Sequence, residues 1–326
     1  MYPKLAANCS DINSPFCPCL LADTNHCISC SLLRGQQFCD CNWSGLCILY
    51  EKQWQSKGSG WRSDNQHERW DVDTSFSRRE IIAPDIYRLE FAVSKEMARE
   101  LKKTGSFVFM RRPDDPHYFH FPVGIMKLED TTAAVVIEAV GPKSMRLLEG
   151  PDQRVLIRGP YYNGVLGQPW IDNITDGTVL LVAGGMGQPP ALPIAAKLLA
   201  GGNKVTAVLA PGKIGRIFID QELRDLGAAV HCVDSMRRSG LDMLSQWLCG
   251  DTPPDLVVSA GPDEQHYAVI NAMHAVNVNL PLAVTNNATM CCGEGICGSC
   301  ECETNNHNKI RLCKNQIDIT QLCREQ

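Results

Sequence analysis

Seventeen cysteines, an odd number, are spread so unevenly over 326 residues that they set the organisation of the whole chain. Eight fall in the first 47 residues: Cys9, Cys17, Cys19, Cys27, Cys30, Cys39, Cys41 and Cys47. None occurs between Cys47 and Cys232, Cys232 and Cys249 stand singly, and seven crowd the last 36 residues. The opening MYPKLAANCSDINSPFCPC has neither the basic start nor the apolar stretch of a secretory signal, so the expected compartment is the cytoplasm. In a reducing compartment such a count points to metal or redox chemistry rather than disulfides. The chain reads as a cysteine-rich head, a cysteine-poor middle and a cysteine-rich tail.

The rest of the composition excludes more than it selects. Hydrophobic residues at 44% and charged residues at 21% are ordinary globular values, and the length calls for two or three domains. A net charge of -5 gives no basic footprint, so nucleic acid is not an expected partner. No run of about 18 apolar residues occurs, so no membrane span is expected.

Periodicity divides the middle near residue 170. Before it, Tyr87, Leu89, Phe91 and Val93 alternate with Arg88 and Glu90, the pattern of a half-buried strand. Short runs at 107–110, 134–140 and 154–159 repeat the theme, and a helix is expected from a Ser94 cap to Lys103, with Gly105 past its end. These make an antiparallel β-barrel. After residue 170 the runs TVLLVA, KVTAVLA, AAVHCVD and DLVVSA are continuously apolar and separated by helix-length segments, the signature of a doubly wound parallel α/β sheet. The expected division is a head over 1–57, a polar linker over 58–74, the barrel over 75–170, a nucleotide domain over 171–284 and a cluster domain over 285–326.

TVLLVA runs into Gly184-Gly185-Met186-Gly187-Gln188-Pro189-Pro190 and then an apolar helix. Glycines let backbone approach a pyrophosphate, the helix start supplies free N–H groups, and proline suits the first turn. A tight strand-to-helix turn without a ligand would also use these residues. Ser259-Ala260-Gly261-Pro262 ends the last strand of the set, and Gly261 again permits close approach at the carboxyl edge of the sheet.

The tail carries the most specific pattern. Cys292, Cys297 and Cys300 are spaced C-x4-C-x2-C, with Cys313 following after twelve residues, which is the spacing of plant-type [2Fe–2S] clusters. Three thiolates on one tight loop hold one side and the distant fourth closes it. Glycines 293, 295 and 298 keep side chains away and leave N–H groups free to face sulfur. A zinc site would not call for the four-residue gap. Cys291, Cys302 and Cys323 are left over, and Cys291, beside a ligand, is expected to be a bystander, though it could substitute for one.

With a barrel, then GGMGQPP, then MCCGEGICGSC, the chain resembles the ferredoxin-reductase superfamily over about residues 75 to 320. Within it the chain most resembles the iron–sulfur flavoprotein electron-transfer subunits related to type B dihydroorotate dehydrogenase and the small subunit of NADH-dependent ferredoxin:NADP oxidoreductase. The resemblance implies FAD on the barrel, NAD(H) or NADP(H) on the second domain and a [2Fe–2S] cluster. It implies electron exchange with a catalytic or flavoprotein partner subunit, or with ferredoxin. It carries over the turn at Gly184, Gly185, Gly187 and Gln188, the four cluster cysteines, and Gly261. The family's flavin motif, Arg-Pro-x-Ser/Thr, aligns with Phe121, Pro122, Val123 and Gly124, where both the arginine and the hydroxyl are missing. A second flavin loop corresponds in part to Gly141, Pro142, Lys143 and Ser144. Arg111, Arg112 or Lys143 are candidates for the missing phosphate charge, and equally for solvated surface cations. Asp234 is placed to hold a ribose hydroxyl, and Arg216, Arg237 and Arg238 to meet a 2′-phosphate. A plant-type cluster at about −400 mV suits low-potential partners in either direction of flow. The rival expectation, raised by Phe121, is an adapter with a decayed flavin site that keeps its clusters as a wire or as support.

The resemblance does not reach the head. This segment is too short and too poor in apolar residues to fold on a core alone, so metal or disulfides are expected to hold it. Its eight thiols fit two four-cysteine sites, [4Fe–4S] or zinc, with a redox-thiol role as the other reading. Trp43 and Trp54 are expected to pack against these loops.

Overall fold

A computed structural model describes residues 8–12, 14–39, 47–57, 69–149, 153–250 and 252–323, with backbone alone for 54–57. Cys41, Trp43 and most of the expected linker lie outside the described residues, as does the Trp54 side chain.

Six antiparallel strands close a barrel, in the order Asp71–Ala83, Ile86–Ala92, Thr132–Glu138, Phe121–Glu129, Phe107–Arg111 and Arg154–Tyr161, which returns to the first. The alternation read at Tyr87–Val93 buries Leu89 and Phe91 completely, and these pack with Phe76, Val108, Met110, Val135 and Ile157 in the barrel core. The expected helix forms as Lys95–Leu101, and the Ser94 hydroxyl accepts the Met97 N–H at 3.1 Å to cap it. The first strand differs from expectation. It begins inside the stretch read as linker, with Asp71–Ser75 paired to Arg154–Arg158. Only Phe76 and Ile82 of this strand are buried, so its sequence is too polar to read as a strand.

The second sheet places Ala229–Cys232, Lys204–Ala210, Thr178–Gly184, Leu256–Ala260 and Leu282–Thr285 side by side and parallel. Val165–Leu166 adds an antiparallel edge on Leu282–Thr285. Leu180, Leu181, Val182 and Ala183 are buried, as are Val257 and Val258, which explains their unbroken apolar runs. From Thr178–Gly184 the chain crosses to Lys204–Ala210 on one side and later to Leu256–Ala260 on the other. The order therefore reverses at Gly184, and a crevice opens beside Ala260, which is in register with Ala183.

The head does not hang from a tether. Asn8–Cys9 pairs antiparallel with Asn315–Gln316 of the tail, separated from Cys313 by Lys314 alone. A small core of Cys17, Ala22, Cys27, Cys30, Leu33 and Ile48 fills it, and the Lys52 ammonium donates to the Ala22 carbonyl at 2.8 Å to hold the helix Ile48–Lys57 against it. Among the described residues, no helix is long and apolar enough to cross a membrane.

Candidate functional site

Barrel and sheet share one cavity of about 1180 Å³. Pro122, Val123, Gly124 and Ser144 line its barrel wall, and Gly184, Gly185, Gly187 and Gly261 line its sheet wall. Eight residues singled out from sequence are thus brought together. The turn geometry explains its glycines. Gly185 has φ +56°, and a Cβ on Gly187 would overlap the Ala260 carbonyl, so the two strand ends meet only without a side chain.

Three expected residues are not among those lining the cavity. The Gln188 side chain is fully buried, donating to the Arg216 carbonyl at 3.0 Å and accepting the Phe218 N–H at 3.0 Å, so it pins the neighbouring loop. Lys143 donates to the His120 carbonyl at 2.9 Å, and the Gly141 N–H is taken by the Ser144 hydroxyl at 3.3 Å. Arg111 is also engaged: it pairs with Asp71 at 2.7 Å and donates to His120 at 3.1 Å. Burial pushes His120 down to about 4 against the opposing pull of Asp71. Arg112 is held by Asp114 and by the Glu149 carbonyl, and Arg216 by the Ile82 carbonyl. The cations that do line the cavity are Lys213 and Arg237, together with Asp234. Lys213 lies in the turn Gly212–Ile214 beside Gly185, a contact that local sequence does not announce.

Behind Gly261 a fully polar joint fixes the loop. The Gly261 N–H donates to the Thr285 hydroxyl at 3.1 Å, Asn287 donates to the Gly261 carbonyl at 2.8 Å, and Gln265 to the Ala260 carbonyl at 3.1 Å. His266 donates through Nε2 to the Thr285 carbonyl at 3.0 Å and accepts the Ser259 hydroxyl at Nδ1, 2.8 Å away. Burial pushes His266 down to about 4.

From the cavity the segment Asn286–Met290 leads into the tail loop. Cys300 and Cys313 are buried, Cys292 is half-buried and Cys297 exposed. Gly293, Gly295 and Gly298 all take positive φ, as a loop wrapped on itself requires. A Cβ on Gly293 would strike Tyr161 and Phe109 of the barrel, and Arg158 donates to the Cys292 carbonyl at 3.3 Å, so the loop rests on the barrel. Backbone donors face sulfur: the Glu294 N–H reaches Cys292 Sγ at 3.3 Å and the Cys313 N–H reaches Cys300 Sγ at 3.4 Å. A hydrogen bond from Cys313 leads the causes that pull Cys292 down to about 4, joined by the N–H groups of Cys297, Glu294 and Ile296 against burial. The same partner brings Cys300 to about 7, and Cys313, shared by both, moves up. Among the described residues, no three histidine, cysteine, aspartate or glutamate side chains are arranged to hold a metal ion. A two-iron cluster makes a different demand, because its four thiolates are shared between two irons. Cys313 within hydrogen-bond reach of both Cys292 and Cys300, with amide donors aimed at those two, suits that demand.

Two carboxylates and two cations lock the head onto this loop. Asp11 pairs with Arg69 at 2.7 Å and with Lys314, while Glu294 pairs with Arg69 at 3.1 Å and Lys314 at 3.0 Å. Asp11, Arg69 and Lys314 are almost completely buried. Burial opposes ionisation of both carboxyls, yet Lys314 and Arg69 outweigh it and hold Asp11 and Glu294 below the usual carboxylate range. In the head itself, Cys9, Cys17, Cys19, Cys27 and Cys30 stand close enough for a charge on one to raise another. Burial is the leading cause that pushes Cys9 up to about 12 and also raises Cys17 and Cys27. Cys39 and Cys47 are exposed.

A closed six-stranded barrel, joined to a parallel sheet whose switch point opens on the same cavity, defines the ferredoxin-reductase fold. Many solved structures share it. The NADH-dependent reduced ferredoxin-NADP oxidoreductase superposes with a TM-score of 0.62 at 20% identity, over 77% of this chain and 89% of that one. Phthalate dioxygenase reductase superposes with a TM-score of 0.50 at 15% identity, over 77% and 97%. No protein-family model matches the chain. Curated relatives do. The chain is 30% identical over 185 residues to the "Probable dihydroorotate dehydrogenase B (NAD(+)), electron transfer subunit" of Methanopyrus kandleri, covering 55% of this chain and 67% of that one. It is 28% identical over 253 residues to the corresponding subunit of Streptococcus thermophilus, covering 74% and 93%. The chain belongs to the family of dihydroorotate dehydrogenase B electron transfer subunits, and it is an electron-transfer subunit of an oxidoreductase complex.

Proposed function

We propose that this chain moves electrons between a nicotinamide nucleotide, FAD and a [2Fe–2S] cluster, and exchanges them with a catalytic partner subunit or a ferredoxin. The observation that carries the reading is the single cavity, lined on one wall by the barrel strand Phe121–Glu129 and on the other by the Gly184–Gly187 turn, whose floor continues through Asn286–Met290 into the cysteine loop. A nicotinamide held at the Gly184–Gly187 turn and a flavin held on the barrel wall would supply hydride exchange, and the flavin would supply single-electron exchange with a cluster held by the cysteine loop.

The chain's own residues divide the work. Gly184, Gly185 and Gly187 give a pyrophosphate close access to backbone, and Gly261, clamped by Thr285 and Asn287, keeps the adjoining strand end open to a nicotinamide. Pro122, Val123, Gly124 and Ser144 offer the flavin an open wall, with Lys213 and Arg237 as the cavity's cations in place of the missing arginine. Asp234 in the same cavity favours a free ribose hydroxyl, hence NAD(H), in keeping with the NAD(+) in the relatives' names. Cys292, Cys297, Cys300 and Cys313 are the cluster ligands, with Cys291, Cys302 and Cys323 outside the set. The division proposed for the chain is a head over 1–57, a linker over 58–74, a barrel over 75–170, a nucleotide domain over 171–284 and a cluster domain over 285–326, with the linker-barrel boundary moved back to the first barrel strand at Asp71. The head cysteines stay the candidates for a further metal centre, [4Fe–4S] or zinc, on their number alone, since among the described residues no three such side chains are arranged to hold a metal ion. The high cysteine content, suited to metal and redox chemistry in a reducing compartment, supports the cytoplasm as the compartment.

Anaerobic purification with flavin, iron and sulfide quantitation tests the reading. Bound FAD, and a rhombic [2Fe–2S] electron paramagnetic resonance signal that disappears in Cys292→Ser and Cys313→Ser, are expected. A flavin-free chain, or a signal unchanged in both variants, would refute it.

A further inference from the structure

The buried charges between head and tail meet directly beside a cluster ligand. Lys314 follows Cys313, and its stem lies against Gly295 of the cysteine loop, within 3.2 Å of where a Cβ there would stand. Its ammonium reaches Asp11 and Glu294, and its carbonyl accepts the Ser10 N–H at 2.7 Å. Asp11 belongs to the head, whereas Glu294 belongs to the loop itself. Leu21 of the head approaches Gly295 from the other side, at 3.0 Å from the same Cβ position. Arg69 completes the set, stacked between Phe16 of the head at 4.0 Å and Tyr161 of the barrel at 4.4 Å. The four charges sum to zero, and the head supplies one of the two negative members.

We infer that Asp11 is a positioning residue that sets the reduction potential of the cluster at Cys292, Cys297, Cys300 and Cys313 by neutralising Lys314. The inference rests on the proposed cluster assignment and adds to it a role for the head. The physical reason is charge. A cluster becomes more negative when it takes up an electron, so an uncompensated cation nearby favours the reduced form and an uncompensated anion the oxidised form. In water this effect is screened within about 10 Å at ordinary ionic strength, whereas buried charges are screened much less. Asp11, Arg69 and Lys314 are buried, so their balance acts on the loop with little screening. The head therefore belongs to the cluster site as part of its outer layer, tuning the cluster as outer partners of metal ligands generally do.

Redox titration of the full chain, read by the [2Fe–2S] resonance signal, tests this through sign. Asp11→Asn removes a negative charge without changing side-chain size and should raise the midpoint potential. Lys314→Met removes the positive charge and should lower it, and Asp11→Glu, which keeps the charge, should stay near the wild type. A merely structural clamp would lower cluster occupancy in all three variants and leave the midpoint of the occupied fraction unmoved. Unmoved midpoints in Asp11→Asn and Lys314→Met, or shifts of the same sign, overturn the inference. Should Asp11→Asn lose its cluster, Glu294→Gln decides: this carboxylate is 31% exposed, its loss uncovers the same cation, and an upward shift is again required. Iron and sulfide content of the wild type separates the two levels. A wild type without the cluster defeats the assignment, whereas a loaded wild type with unmoved variant midpoints defeats only the role of Asp11.

Discussion

Gly187 shows how one atom governs the turn proposed to hold the nucleotide. Its backbone is ordinary, with φ −76°, so glycine is required here by space alone. A Cβ would overlap the Ala260 carbonyl, joining two strand ends that must stay close for the crevice to form. Gly187→Ala must therefore push the Gly184–Gly187 turn away from Ala260 and Gly261. Overpacking of this kind costs about 1–3 kcal/mol. Each 1.4 kcal/mol withdrawn from binding is a tenfold change in affinity, so about a tenfold weaker NADH affinity is expected. Calorimetric titration measures it, and the [2Fe–2S] signal, some distance along the chain, should be unaltered. Undiminished NADH affinity would mean that the turn does not touch the nucleotide.

At the scale of elements, the joint between the Leu256–Ala260 strand, the helix Asp263–Ala275 and the Leu282–Thr285 strand depends on a neutral imidazole. His266 accepts from Ser259 and donates to Thr285, and burial holds it down at about 4 from an ordinary 6.5. The unfolded chain binds a proton in that interval and the folded chain does not. The stability His266 contributes is thus fully present above pH 6.5 and lost as pH falls towards 4. A shift of this size on a buried group is worth about 3 kcal/mol. The melting temperature should fall over this window, and less steeply in His266→Gln; parallel profiles would place the pH sensitivity elsewhere, His120 being the next candidate. The same joint shows what sequence conveys and what it withholds. Apolar runs such as DLVVSA declare buried parallel strands, and the cysteine spacing declares its loop, because both patterns are local. The Asp71–Ala83 strand is hidden because most of its side chains face water. Gln188 sits in the turn motif, yet its side chain is committed to Arg216 and Phe218, a choice made by packing 28 and 30 residues away. Asp11, Arg69, Glu294 and Lys314 are separated by up to 303 positions, and each alone reads as a surface charge. Only the fold brings them together and buries them.

For the whole molecule, the order of contacts agrees with the proposed order of electron carriers. The nucleotide turn and the barrel wall face each other across the cavity, and the cysteine loop rests on the barrel through Gly293 against Tyr161 and Phe109, and through Arg158 at the Cys292 carbonyl. Electrons from a nicotinamide leave as a pair with a proton, as hydride, whereas a [2Fe–2S] cluster takes them singly. A carrier able to accept the pair and release it in single steps must stand between them, and flavin does this. The place proposed for it is the barrel wall at Pro122, Val123, Gly124 and Ser144. Chain stripped of FAD with its cluster retained should therefore bind NADH and leave the cluster oxidised, while added FAD should restore reduction. Stopped-flow mixing followed by freeze-quenched resonance spectroscopy measures both. Equally fast cluster reduction with and without FAD would mean that the barrel is only a support, and that the pair is split by another group.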